Sequence, residues 1–188
     1  MKNILLFASG GGSNVKAILE YFKDNQSVSF PLIITNKAHA GVIEIAKEHQ
    51  IDVLLINKQI FNEEVFIDTL ESYKPDLLVL AGFLWKIPDY MIMAFPNKII
   101  NIHPALLPKY GGKGMYGHFV HEAVIANHEK ESGITIHFVN EHYDEGTVLL
   151  QKSIPVSIDD VPEELAKKVL ELEHEWYAKV IESLLKSS

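Results

Sequence analysis

The chain has 188 residues, of which 47% are hydrophobic and 22% are charged, values that suit one globular domain with a sizeable core. Its net charge of -8 argues against a nucleic-acid-binding protein with a general basic surface, and it has no cysteine for a disulfide, a zinc thiolate or a thiol nucleophile. Since neither a signal-peptide core nor an apolar run of membrane-spanning length is evident, we expect a cytoplasmic protein without nucleic-acid or membrane partners.

The N-terminus combines an apolar strand, a glycine-rich turn and a helix. Residues 4–8 form a continuous apolar run, which is typical of a strand covered on both faces. The turn at residues 9–14 lets backbone amides and a helix dipole approach an anion, although the same pattern suits a simple tight turn. It lacks the lysine of a nucleotide-binding phosphate loop. We therefore expect a site for one phosphate, with Ser13 and Asn14 as side-chain donors.

The middle of the chain alternates between apolar strands and helices. The predicted strands cover residues 30–35, 53–56 and 77–80, and the predicted helices cover residues 42–49 and 61–73. In the second helix Val65, Phe66 and Leu70 are expected on one face. This alternation predicts a doubly wound, mostly parallel sheet.

An apolar, glycine-bearing segment follows the strand at residues 77–80. It contains Phe83 and Trp85 and ends in a proline. A long apolar loop is a poor structural element unless it lines a cavity, so the segment predicts either a flat ligand slot or simple core packing.

The segment from Asn101 to Pro108 is the strongest candidate for a site. Residues two apart on a strand point to the same face, so Asn101 and His103 should project together while Ile102 packs inward. Pro104 should end the strand. In an open α/β sheet, ligands bind at the carboxyl ends of the strands, so we favour a functional site over an ordinary turn.

The C-terminal part predicts a glycine-rich loop at 109–117, a helix at 118–127, an antiparallel hairpin with strands at 134–139 and 148–155, and a long helix at 162–185. His118 and His121 lie three residues apart on the first helix. They fit a solvated helix face better than a metal site, because no third ligand is evident. The loop inside the hairpin carries Asp144, which suits a turn, and Glu173 suits an exposed helix face.

Four motifs together resemble the phosphoribosylglycinamide formyltransferases, folate-dependent enzymes of purine synthesis within the wider formyltransferase superfamily. The motifs are Ser9-Gly10-Gly11-Gly12-Ser13-Asn14, Leu80-Ala81-Gly82-Phe83, Asn101-Ile102-His103-Pro104 with Leu106-Leu107-Pro108, and Asp144-Glu145-Gly146. The similarity covers nearly the whole chain. It implies one α/β domain over residues 1–188, with a phosphate-binding half at 1–100 and a catalytic and folate-binding half at 101–188.

The resemblance also implies roles for particular residues. The catalytic residues would be Asn101, His103 and Asp144. The ribonucleotide would be bound by Gly12, Ser13, Asn14 and Glu173. The folate would be bound by Leu84, Trp85, Lys86, Ile87, Asn101, Val139 and Asn140. The co-substrate would be 10-formyltetrahydrofolate, the acceptor would be 5-phosphoribosylglycinamide, no metal would be required, and a homodimer is one assembly left open.

This chemistry agrees with the residues. An amine attacks the formyl carbon, and Asn101 and a protonated His103 would stabilise the oxyanion that develops. We expect Asp144 beside His103 to raise the pKa of the imidazole and to relay a proton. Two departures concern the folate tail: Trp85-Lys86 replaces a Met-Arg type of sequence, and no arginine is evident at residues 61–66.

Three alternatives differ in testable ways. A formyltransferase acting on initiator methionyl-tRNA would be expected to carry a C-terminal RNA-binding domain and basic charge. A formyltetrahydrofolate hydrolase would be expected to carry an additional N-terminal domain. A non-catalytic nucleotide-binding module would need the glycine-rich turn but not Asn101, His103 and Asp144.

Overall fold

A computed structural model describes residues 1–187. Ser188, which is part of the predicted domain, lies outside the described residues. The elements are β1 (Lys2–Phe7), α1 (Ser13–Phe22), β2 (Val28–Thr35), α2 (Val42–Glu48), β3 (Asp52–Leu55), α3 (Lys58–Asn62), α4 (Phe66–Glu71), β4 (Leu77–Leu80), α5 (Asp89–Ala94), β5 (Ile99–His103), α6 (His118–Ala126), β6 (Glu131–Phe138), β7 (Val148–Pro155) and α7 (Pro162–Ser187).

The strands form one seven-stranded sheet in the order β3-β2-β1-β4-β5-β6-β7. Strands β1 to β5 pair in parallel, whereas β6 and β7 are antiparallel to their neighbours. The predicted doubly wound sheet with a C-terminal hairpin is therefore confirmed. The chain order changes direction between β1 and β4, which is the switch point where open α/β sheets leave a crevice.

Each face of the sheet packs against its own hydrophobic core, which explains the continuous apolar runs. In β1, Ile4 and Leu6 join the core beneath α1, α6 and α7, whereas Leu5 and Phe7 join the core on the opposite face. Because successive side chains of a strand point to opposite faces, a strand covered by helices on both sides must be apolar throughout.

The prediction of one helix at residues 61–73 is wrong. The region forms two short helices, α3 and α4, separated at Glu63, whose backbone is extended. The helix α3 begins earlier than predicted because the Asn57 side chain caps it by accepting a hydrogen bond from the Ile60 amide. The break lets both Phe61 and Phe66 reach the same core, and it leaves Val65 exposed rather than on the packed face.

The long helix α7 is fixed to the sheet by a buried tyrosine. The hydroxyl of Tyr177 donates to the carbonyl of Leu80 at 2.9 Å and lies 3.2 Å from that of Ile100. These carbonyls belong to β4 and β5, so the middle of α7 lies close to the strand ends. Among residues 1–187, none of the helices combines the length and the apolar character that a membrane span requires.

Candidate active site

A cavity of about 700 Å³ opens at the carboxyl ends of β1, β4 and β5. It contains all of the predicted site residues except Gly12 and Ser13. Those that line it are Asn14, Leu84, Trp85, Lys86, Ile87, Asn101, His103, Val139, Asn140, Asp144 and Glu173. The fold thus brings together residues that lie up to 159 positions apart in the chain.

Asn101 and His103 project from the end of β5 into this cavity, as their spacing predicts. Ile102 between them is buried in the core. Strand β6 runs antiparallel beside β5 and places His137 opposite Asn101. The side chains of Asn101 and His137 therefore lie on one face, with Asn101 Nδ2 3.3 Å from His137 Nε2.

The imidazole of His103 is held between two acceptors and is only 4% exposed. Its Nε2 lies 2.7 Å from the carbonyl oxygen of Tyr110, and since a carbonyl can only accept, Nε2 carries a proton. The other nitrogen, Nδ1, lies 3.6 Å from Oδ2 of Asp144. That separation exceeds a direct hydrogen bond, so the carboxylate acts on the ring mainly through its charge.

Asp144 raises the pKa of His103 as expected, but the net pKa of His103 in the free chain lies below its ordinary value. Burial lowers the pKa of His103, and the Asp144 carboxylate and the Tyr110 carbonyl offset only part of this effect. The desolvation free energy of the charged ring is larger here than the stabilisation that Asp144 and the Tyr110 carbonyl provide. The charged form is therefore stabilised fully only when additional negative charge develops nearby.

Asp144 lies between two histidines. Its Oδ2 accepts a hydrogen bond from the Gly112 amide at 2.9 Å and faces His103, whereas its Oδ1 lies 3.7 Å from His137 Nε2. Burial raises the pKa of Asp144, but the His137 ring, the His103 ring and the Gly112 amide together lower it below its ordinary value. The carboxylate is consequently ionised near neutral pH.

His137 is a site residue that the sequence reasoning missed. Its Nδ1 lies 2.8 Å from the Phe138 carbonyl, and since a carbonyl can only accept, Nδ1 carries a proton. Its Nε2 lies 3.3 Å from Asn101 Nδ2 and 3.7 Å from Asp144 Oδ1, so the ring stands between the amide and the carboxylate. The Asn101 amide also lines the cavity, where it can donate to a ligand oxygen.

The glycine-rich turn contributes unequally to the cavity. Asn14 lines it, Ser13 is the exposed first residue of α1, and Gly12 is buried. Gly12 has a φ of 78°, and a Cβ there would lie 2.8 Å from Ile45 and 2.9 Å from Val42 of α2. Only glycine both adopts this positive φ and avoids a Cβ contact with α2. The tight turn can therefore present the unpaired backbone amides at the start of α1.

Glu173 is buried rather than on an exposed face, with only 8% of its surface accessible. Its Oε2 accepts a hydrogen bond from Asn14 Nδ2 at 2.7 Å, which joins α7 to the start of α1. Burial raises the pKa of Glu173 to about 7, and the Asn14 hydrogen bond opposes the shift. The other polar atom of the Asn14 amide, Oδ1, is buried and has no hydrogen-bond partner within residues 1–187.

The segment from Leu84 to Ile87 forms an apolar wall of the cavity. The Leu84 amide donates to the buried Ser9 hydroxyl at 3.0 Å, which fixes the segment to the end of β1. The Trp85 ring packs 5.4 Å from Phe61 and is half-buried. Val139 and Asn140 line the same cavity at the end of β6.

His118 and His121 lie three residues apart on α6. Across residues 1–187 there is no cluster of three or more His, Cys, Asp or Glu side chains that could hold a metal ion. His121 is not on a solvated face as predicted, since it is 5% exposed and its Nδ1 has no hydrogen-bond partner among the residues that the structure describes. Helix α6 turns it inward together with Val120 and Val124, which pack in the core.

The sequence and the fold both have close parallels among known proteins. A family model described as formyl transferase matches residues 2–181. The chain is 44% identical to a chloroplastic phosphoribosylglycinamide formyltransferase of Arabidopsis thaliana, covering 96% of this chain and 64% of that protein. It is 37% identical to phosphoribosylglycinamide formyltransferase of Bacillus subtilis, covering 98% and 95%.

Solved structures agree with these sequence matches. The crystal structure of phosphoribosylglycinamide formyltransferase from Bacillus halodurans superimposes with a TM-score of 0.89 at 31% identity, covering 98% of this chain and 95% of that chain. The chain spans only 64% and 61% of the chloroplastic relatives from Arabidopsis thaliana and Vigna unguiculata. The match with the family model nevertheless extends over almost the entire chain, and the chain therefore belongs to the formyl transferase family.

Proposed function

We propose that this chain transfers the formyl group of 10-formyltetrahydrofolate to the amino group of 5-phosphoribosylglycinamide in de novo purine biosynthesis. The observation that carries the proposal is the convergence of Asn101, His103 and Asp144 in one cavity at the switch point of the sheet. The names of the relatives support this substrate pair over the other formyltransferases.

The proposed reaction needs donors for an oxyanion and a route for one proton. The substrate amine attacks the formyl carbon, a new C–N bond forms, and the bond to N10 of the folate breaks. Asn101 Nδ2 and protonated His103 Nδ1 donate to the oxygen that becomes negative. Asp144 favours the charged imidazole and accepts the proton that leaves the amine, which then passes to N10. These steps involve side chains alone, so the proposal requires no metal.

The two halves of the chain would divide the substrates between them. Residues 1–100 would supply the phosphate site at Gly12, Ser13 and Asn14, and residues 101–188 the catalytic groups and Glu173. The folate would lie against residues 84–87 of the first half as well as Val139 and Asn140 of the second. We also propose a cytoplasmic location and no nucleic-acid or membrane partner, with a homodimer as one assembly left open.

Folate release provides the direct test of the activity. Absorbance should report the loss of 10-formyltetrahydrofolate only when phosphoribosylglycinamide is present. Loss without the ribonucleotide would indicate a hydrolase, and formylation of initiator methionyl-tRNA would indicate a different transferase. If neither folate is consumed nor formyl transferred, the chain is a non-catalytic binding module.

The phosphate site predicts a charge effect at Ser13. Ser13→Asp should raise KM for the ribonucleotide by about tenfold or more, because the new carboxylate repels the phosphate. An acidic residue in the first turn suits the helix dipole, so the melting temperature should not fall. Ser13→Ala, which removes only a hydroxyl, is the matched control and should change KM by a few-fold at most.

Ser13 is a cleaner target than Gly12, since a side chain at Gly12 would also press on Val42 and Ile45. Steady-state kinetics with each substrate varied in turn provides the measurement. An unchanged KM for the ribonucleotide in Ser13→Asp would place the phosphate elsewhere.

The apolar wall predicts a fluorescence signal from Trp85. A folate analogue should quench the fluorescence of Trp85 when its pterin ring occupies the cavity, because Trp85 lines the cavity. The only other tryptophan, Trp176, packs between Lys152 and Lys179 and is not among the cavity residues. Quenching should therefore survive Trp176→Phe and disappear in Trp85→Phe, and the reverse pattern would contradict the assignment.

A further inference from the structure

A short stretch of the glycine-rich loop contacts both members of the His103–Asp144 pair. The Tyr110 carbonyl accepts from His103 Nε2 at 2.7 Å, and the Gly112 amide donates to Asp144 Oδ2 at 2.9 Å. Residues 110–112, here called the bridging segment, therefore join the imidazole to the carboxylate. Any movement of this segment must change the geometry of both groups.

The bridging segment is held in a conformation that leaves little freedom. Tyr110 has a φ of 57°, in the left-handed region that residues other than glycine seldom adopt. At Gly111 a Cβ would lie 2.5 Å from Leu107 Cδ2 and 3.3 Å from Asp144 Cβ. The main chain thus passes so close to Asp144 that a side chain at position 111 would press on the carboxylate's own Cβ.

A carboxylate outside the cavity fixes this conformation. The Tyr110 hydroxyl donates to Glu129 Oε1 at 2.9 Å, and Lys109 Nζ lies 2.9 and 3.1 Å from its two oxygens. Glu129 belongs to the turn between α6 and β6, and its amide is bonded to the Val124 carbonyl of α6. The bridging segment is thereby attached to the framework of the domain and not only to the pair it contacts.

We infer that Glu129 and Gly111 are positioning residues that act through the bridging segment to set the His103–Asp144 geometry. The inference rests on the proposed function, in which this pair acts on the formyl group. Neither residue needs to touch a substrate. Glu129 restrains Tyr110 from outside, and Gly111 lets the main chain approach Asp144.

Water cannot readily replace the Tyr110 carbonyl as the hydrogen-bond acceptor of His103 Nε2. The ring is almost wholly buried, so an Nε2–H that lost this acceptor would stay unpaired. The other titratable groups that influence the ring are Asp144, His137 and His121, of which only Asp144 favours its charged form. Displacement of the bridging segment should therefore lower the pKa of His103 further.

The test compares Glu129→Ala and Gly111→Ala with two matched controls. Glu122→Ala removes an exposed carboxylate of α6, and Leu107→Ala removes the side chain nearest to the new Cβ without adding one at position 111. Imidazole NMR of the ligand-free protein, assigned through His103→Gln, follows the His103 titration. Steady-state kinetics across pH follows kcat and KM.

We expect the His103 titration to move to lower pH in both test variants and in neither control. Turnover should fall about tenfold with little change in KM, because the pair is displaced by less than the 1 Å that costs about 100-fold. The alkaline limb of the kcat profile should move to lower pH. Glu129→Gln, which keeps an oxygen for the Tyr110 hydroxyl, should restore part of the loss.

An unshifted His103 titration together with a lowered melting temperature would show that Glu129 and Gly111 are merely structural, and would overturn the inference. If Gly111→Ala fails to fold, Glu129→Ala and Tyr110→Phe decide the question, because both leave the main chain intact. The NMR measurement needs no substrate. Failure of the proposed function would appear separately, as a wild-type protein that transfers no formyl group.

Discussion

Replacing Asp144 by Asn should lower kcat by about 100-fold or more while changing the binding of both substrates far less. The carboxylate lies 3.6 Å from His103 Nδ1 and 3.7 Å from His137 Nε2, so its charge acts on both rings. Burial already lowers the pKa of His103. The protonated ring is thus costly in the free chain, and in the proposed reaction it would become favourable as negative charge develops on the formyl oxygen. An interaction that strengthens in the transition state appears in kcat.

The pH profile provides a second signature of the same change. If protonated His103 is required, activity falls as the pH rises through its pKa. Because Asp144 raises that pKa against the effect of burial, Asp144→Asn should lose activity at a lower pH than wild type. The Asp144 pKa is itself lowered, so the wild-type carboxylate stays ionised on the acidic side of the profile.

A double-mutant cycle with His103→Ala tests whether the two residues act as a unit. The combined loss should be far smaller than the product of the single losses, because either change alone disables the same donor. Formyl transfer measured between about pH 5 and 9 covers the relevant titrations. Strictly multiplicative losses, or a fully active Asp144→Asn protein with an unshifted profile, would contradict the coupling.

The strands and the Asn101–His103 pair could be predicted because they depend on local patterns. A strand covered on both faces must be apolar where it is covered, and residues 4–7 of β1 and all of β4 are apolar and buried. The period of two along a strand is enough to place Asn101 and His103 on one face. Neither inference requires knowledge of which strand lies next to which.

His137 could not be assigned in the same way because its role depends on strand register. Only the pairing of β6 with β5 sets it opposite Asn101, and a shift of one residue would turn it away. The available signal was a histidine between the apolar residues Ile136 and Phe138 of a predicted strand. The break between α3 and α4 also depends on tertiary packing, because it allows Phe61 and Phe66 to pack in the same core.

The burial of Glu173 could have been predicted from its helical spacing, although a glutamate on a helix is usually exposed. It lies four residues from Val169 and four from Tyr177, both of which are almost fully buried. Helical spacing therefore places its carboxylate on the packed side of α7. Its partner Asn14 is 159 residues away, so only the fold could show that the two meet at the cavity.

Glu173→Gln should make the protein more stable above neutral pH and leave its stability unchanged at low pH. Burial raises the pKa of Glu173 from 4.5 to about 7. Between these values the native state holds a proton that the unfolded chain has lost, so stability falls as the pH rises through this window. The rise from 4.5 to about 7 corresponds to a stability difference on the order of 3 kcal/mol.

Glutamine removes the charge but keeps an oxygen that can accept from Asn14 Nδ2. Chemical denaturation at about pH 5 and pH 8 should show the gain only at the higher pH. Glu175→Gln is the matched control, because Glu175 lies on the same helix with half of its side chain exposed and pairs with Lys179. Its effect should stay within about 0.5 kcal/mol at both pH values.

The same substitution should weaken binding of the ribonucleotide, which explains why an ionisable group would be kept at a site where it destabilises the fold. A carboxylate can accept two hydroxyl hydrogens of a sugar, whereas an amide offers one acceptor, and each charged hydrogen bond contributes about 1.5–3 kcal/mol. We therefore expect KM for the ribonucleotide to rise about tenfold or more, with folate binding unchanged. A Glu173→Gln protein that gains no stability at high pH would show that the carboxylate is not charged there, and an unchanged KM would remove Glu173 from the substrate site.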